Sequence, residues 1–233
     1  MKAIIIASLC LLSIISPLIA QQTCVRQLST AQRAAVAQAH NTWRNKVAGG
    51  QQSSARGVLP QASNMKTIIY DTNIEEKLSQ VWANTNPKGH NPTRVVPGLA
   101  GYIGENIYWS SRGTSQKLTP GSFDVSAAVN SWFNEVSLFN GDVSKFSSSA
   151  TTGGAIGHFT QVIWAESTRV GCGILDCVTS TPKTGYTMYS QSVAFVCNYW
   201  KGGNYLGQSI YKTGAPGSGC TNGLSTTFPA LCA

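Results

Sequence analysis

The longest apolar run opens the chain. Residues 3–15 are apolar except at Ser8, Cys10 and Ser13, behind a lone Lys2 and ahead of Pro17-Leu18-Ile19-Ala20. That layout predicts a secretory signal peptide over residues 1–20. The run is too short for an uncleaved anchor, and no later segment is apolar enough to span a membrane. The pattern then turns amphipathic. Over 29–47, Val36, His40, Trp43 and Val47 share one helical face. Ser29 with Gln32 reads as a capping box, and Gly49-Gly50 as a stop. His40 on that face predicts a packed core histidine. Thr72-x-x-Glu75 opens a second helix with Ile74, Leu78, Val81 and Trp82 inward. A third covers 124–136, with Val125, Ala128, Val129 and Trp132 inward and Glu135 on the side of Trp132.

Between these lie polar connections: 50–64, an Asn/Pro/Gly-rich loop over 84–104 that carries His90, 112–122, and a Ser/Thr/Gly loop over 137–156. Long loops of this kind are often functional. Downstream, Phe159, Val162 and Ile163 recur at near-helical spacing around His158. Val170-Gly-Cys-Gly-Ile174 then begins a strand over 170–177, its glycines marking a place where another backbone comes close. Residues 185–199 form a second, mostly apolar strand region, expected at the centre of the sheet. The order of elements predicts an α+β fold, helices packed on a mostly antiparallel sheet.

Composition narrows the class. With 233 residues, 42% of them hydrophobic, one domain with a sizeable core is feasible. Charged residues make up 11%, a low fraction that suits a secreted chain, and the net charge is +8. The basic residues are scattered, which fits a cationic soluble surface with weak attraction to anionic glycans. No motif supports nucleic-acid binding. Seven cysteines less Cys10 of the leader leave Cys24, Cys172, Cys177, Cys197, Cys220 and Cys232, an even set that implies three disulfides. No Cys-x-x-Cys is present, so a zinc knuckle or redox motif is not expected.

Gly157-His-Phe-Thr-Gln-Val-Ile-Trp164, followed by Val170-Gly-Cys-Gly173, resembles the signature of the CAP superfamily of cysteine-rich secretory, antigen 5 and pathogenesis-related proteins. Phe195-Val-Cys-Asn-Tyr199 with Gly203-Asn-Tyr-Leu-Gly207, and Gly104-Glu-Asn-Ile-Tyr108, extend the resemblance over roughly 29–211. The nematode venom-allergen-like, activation-associated secreted proteins look nearest. The resemblance implies a three-layer α-β-α sandwich over 29–211, preceded by an N-terminal extension at 21–28 and followed by a disulfide-linked tail at 212–233. It implies a Cys172–Cys197 bridge. Many members pair the counterpart of Cys177 with a cysteine four residues before the first site histidine. Asn86 stands there, so Cys177 needs another partner. We expect Cys24, which leaves Cys220 with Cys232.

The resemblance also marks a cleft tetrad: His90, Glu105, Glu135 and His158. Two imidazoles and two carboxylates allow a divalent ion, zinc first, held by His90 and His158. They also allow a glutamate acting as general base, which would make a metal-dependent protease or esterase; otherwise they form a polar cluster that fixes the cleft walls. No His-Glu-x-x-His and no Gly-x-Ser-x-Gly support catalysis, and no organic cofactor is indicated. The stretch 136–146 aligns with a loop that some CAP proteins use for sterols. Its Phe139 and Phe146 either cover a sterol or fatty acid or anchor the loop to the core. The expected role is that of a secreted binding module with a small-molecule ligand or an extracellular protein partner.

Overall fold

The computed structural model describes residues 19–149 and 153–233. The expected leader lies outside these apart from Ile19 and Ala20. Helix α1 spans Thr30–Ala48. Ser29 and Gln32 form the full capping box: the Ser29 hydroxyl accepts from the Gln32 N–H, and the Gln32 amide oxygen accepts from the Ser29 N–H. Gly49 closes the helix. Val36, His40 and Val47 are buried, while Trp43 is half-buried and stacks 4.0 Å from Phe133.

After the short strands β2 (Ser53–Ser54), β3 (Gly57–Val58) and β4 (Ile69–Tyr70), the second helical stretch departs from expectation. Asp71, not Thr72, caps it, its carboxylate accepting from the Asn73 and Ile74 N–H groups. It runs as α2 (Thr72–Ile74), a π turn (Glu75–Ser79) and α3 (Gln80–Asn84). The wider π turn shifts the helical phase, so Val81, expected inward, is 58% exposed and Ala83 is buried instead.

The main sheet combines β1 (Gln21–Val25), β5 (Gly104–Thr114), β6 (Arg169–Lys183) and β7 (Tyr186–Trp200) in the order β1-β6-β7-β5, all antiparallel, with β4 added parallel to β6. The β6–β7 hairpin is longer than expected at both ends. Strand β5 continues through Thr114 into a segment expected to be loop. It lies at the sheet edge and carries little apolar signal beyond Trp109, so its register with β7 defines it. Residues 21–25, expected as an extension outside the domain, are an edge strand of the sheet.

On one face of the sheet α1, α4 (Val125–Asn134) and α5 (Gly157–Val162) bury Cys172, Ile174, Phe195, Cys197 and Tyr199. On the other, Trp82 and Ala83 of α3 pack against Ile107 and Val196. The result is the expected α-β-α sandwich. Gly171 and Gly173 show why the Val-Gly-Cys-Gly run is needed: a Cβ at either would strike the backbone of Glu75 or Gln80.

The three bridges are Cys24–Cys177, Cys172–Cys197 and Cys220–Cys232. The first two join directly opposed residues on neighbouring strands. The tail is docked rather than free: Cys232 exchanges backbone hydrogen bonds with Met65 and Thr67, and Leu231 is fully buried.

Phe139 and Phe146 lie inside the molecule. At 2% and 5% exposure both rings belong to the core, Phe139 against Phe159 and Phe146 against Trp164. The anchoring alternative describes them.

Candidate functional site

His90, Glu105 and His158 line one cleft of about 370 Å³, together with Arg94, Tyr102, Asn106 and Asn204. Glu135 is not among the lining residues but is bonded to His158, and four separate segments supply the tetrad. The loop before β5 carries His90, and two indole N–H groups tie that loop down. Trp82 donates to the Gly89 carbonyl at 3.1 Å, and Trp109 donates to the Pro87 carbonyl at 2.7 Å. Strand β5 supplies Glu105. A 3-10 turn at the end of α4 (Glu135–Leu138) supplies Glu135, and the first turn of α5 supplies His158.

The four residues form two His–Glu pairs. His90 Nδ1 lies 2.7 Å from a Glu105 oxygen, and His158 Nδ1 lies 2.7 Å from a Glu135 oxygen. A carboxylate can only accept, so in each ring Nδ1 carries the proton and donates. The neutral ring's lone pair then sits on Nε2, for which the described residues provide no hydrogen bond. Trp132 stacks on the His158 ring at 6.1 Å and on Phe195 at 5.8 Å, fixing the plane of that imidazole.

Each glutamate accepts three hydrogen bonds. One Glu105 oxygen accepts from His90 and the Asn91 N–H, with Arg94 at 3.7 Å, and the other accepts from Asn198. The Glu105 side chain is fully buried. Glu135 uses its second oxygen to accept the His158 and Phe159 backbone N–H groups at 3.0 and 3.1 Å. It caps α5 from outside, where Ile156 at the N-cap position offers no side-chain acceptor. Among the described residues no group of three or more His, Cys, Asp or Glu side chains is arranged to hold a metal. The donors left for an ion are the two Nε2 atoms, each ring oriented by a carboxylate as metal-binding histidines usually are. Two protein donors leave the rest of a tetrahedral shell to water or a ligand. No serine, threonine or cysteine lines the cleft among the described residues.

Beneath the cleft lies His40. Its Nδ1 donates to the Val36 carbonyl at 2.8 Å, so Nε2 accepts from the Tyr199 hydroxyl at 2.9 Å. Burial holds that phenol well above its usual range, which keeps it a donor. Asn106 in turn donates to the Tyr199 oxygen and to the His158 carbonyl, so the cleft floor is bonded to the core. A second buried group, Arg44, donates to the carbonyls of Lys66, Val162, Trp164, Ala165 and Ser167 and fixes the turn after α5. Burial lowers its guanidinium to about 9.

Arg94, Tyr102, Asn106 and Asn204 escaped the sequence reading. Asn106 and Asn204 lie inside recognisable motifs, and Asn204 has a φ of 60° that Asn tolerates. Arg94 and Tyr102, joined by a 3.2 Å hydrogen bond, sit in an irregular loop and give no periodic signal.

The chain is thus an α-β-α sandwich with three disulfides and two His–Glu pairs. The model of the CAP, cysteine-rich secretory protein family matches residues 37–199, and the chain belongs to that family. Scoloptoxin SSD552 of Scolopendra dehaani is 37% identical over 209 residues, covering 89% of this chain and 87% of the toxin. Venom allergen 5 of Brachyponera chinensis is 33% identical over 187 residues, 79% of this chain and 86% of the allergen. Among solved structures, the crystal structure of NaASP2 with Zn2+ superposes with a TM-score of 0.66 at 29% identity, covering 88% of this chain and 97% of the other.

Proposed function

We propose that the protein is secreted and works outside the cell as a binding module, its cleft holding a divalent ion, zinc first, on His90 and His158. The observation that carries this reading is the pairing itself. Each Nδ1 is committed to a glutamate, and both rings line one cleft. The two imidazoles would supply neutral nitrogen ligands, and Glu105 and Glu135 would orient them. A bound ion would supply a Lewis-acidic centre with open positions. That NaASP2 was solved with Zn2+ supports the choice of metal. Secretion is supported by the expected leader, by strand β1 beginning at Gln21, just past the expected cut, and by three disulfides.

The rim supports a macromolecular partner at the cleft. Tyr102, Tyr205 and Leu206 are exposed there, with Tyr102 and Tyr205 5.6 Å apart. A hydrolase is the weaker reading, because each carboxylate is already engaged in orienting a histidine and in accepting backbone N–H groups. The test is turnover of generic protease and esterase substrates by protein loaded with zinc. No turnover above background is expected. Chelator-sensitive turnover that disappears in His158→Ala would replace the binding module with an enzyme.

A further inference from the structure

The far half of the sheet extends past the end of α3, and on that side Trp109, Ser111, Ser190 and Ser192 are exposed. Alternation places Trp109, Ser111 and Gly113 of β5 on this face, with their cross-strand partners Ala194, Ser192 and Ser190 of β7. Ser190 pairs onward with Thr179 of β6. Trp109 is 46% exposed, although its N–H is bonded to Pro87, so the ring is both accessible and held. Two adjoining hollows of about 380 Å³ each share Ser111 and Ser192. Lys88 lines one of them, and no aspartate or glutamate is among the described residues lining either; the Arg112 side chain lies on the opposite face, where it donates to Gln191.

We propose that this groove is a second binding site, separate from the His/Glu cleft, for an anionic oligosaccharide. The chemistry matches feature by feature. A fixed, half-exposed indole offers an apolar platform to the C–H face of a pyranose ring. The Ser111, Ser190, Ser192 and Thr179 hydroxyls offer donors and acceptors at strand spacing to sugar hydroxyls. Lys88 selects a sulfate or carboxylate substituent, and the absence of lining carboxylates removes the repulsion that would oppose it. A neutral glycan would leave Lys88 without a partner. A protein partner would be expected to meet more apolar area than one indole.

The test is titration of the zinc-free full chain with a heparin hexasaccharide, with cellohexaose as the uncharged control. Wild type is expected to bind the heparin fragment saturably, more weakly as salt rises, and cellohexaose far less. Trp109→Ala is expected to weaken binding about tenfold or more. Because Trp109 also holds the loop, Ser192→Asp is the second variant. It places a carboxylate on an exposed position of the groove without touching the core, and it is expected to abolish binding. Lys46→Ser with Lys212→Ser removes two positive charges elsewhere, against the single unit that Ser192→Asp changes, and is expected to leave binding intact. The proposal is overturned if wild type shows no saturable binding, if cellohexaose binds equally well, or if the Lys46/Lys212 variant loses as much as Ser192→Asp.

Discussion

His40 is fully buried, and its two ring nitrogens are spent on Val36 and Tyr199. Desolvation pulls its pKa from the ordinary 6.5 to about 4, with only the Val36 carbonyl opposing. Between those values the unfolded chain binds the proton and the folded chain does not. Stability is therefore full above pH 6.5 and is lost as the pH falls toward 4. The loss from this residue is about 3 kcal/mol at the foot of the window. Urea denaturation at a series of pH values checks this: His40→Gln, with nothing to titrate there, is expected to show a flatter slope across the window than wild type. His40 was legible because its neighbours on α1 formed an apolar face. Arg44, on the same helix, was not. A buried guanidinium satisfied by five carbonyls looks in sequence like any surface arginine, since its partners lie more than twenty residues away.

At the scale of elements, α5 is too short to be stable by itself, and Glu135 makes it hold. One carboxylate caps the helix and orients the imidazole of its second residue. Glu135→Gln keeps one acceptor oxygen but loses the charge, so we expect zinc affinity to drop by about 10–100-fold. Helix capping itself should cost about 1 kcal/mol. Calorimetric zinc titration together with thermal unfolding separates the two effects. Periodicity located α1, α4 and α5 because each buries one face. It failed at Val81, where the π turn changes the phase, and along the polar half of β5, where pairing with β7 replaces hydrophobic alternation. The tetrad came from motif resemblance and could not have come from spacing, since its members sit on four separate segments.

The whole molecule is closed by β1. This edge strand is joined to β6 by Cys24–Cys177, a bridge with a sequence separation of 153 residues. Chain entropy gives such a loop about 5 kcal/mol of stabilisation. Replacing both cysteines with serine is expected to lower stability by an amount of that order and to speed amide exchange over 21–25, while Cys172–Cys197 keeps the centre of the sheet joined. On that frame rests the proposal that His90 and His158 hold one ion. The most direct measurement is calorimetric titration of tag-free protein with zinc at near-neutral pH, repeated at mildly acidic pH. We expect one ion per chain, weaker binding in acid because protons compete for Nε2, and loss of binding in the His90→Ala, His158→Ala double variant. The same zinc affinity in wild type and the double variant would contradict the cleft as the metal site and leave the tetrad as a structural cluster.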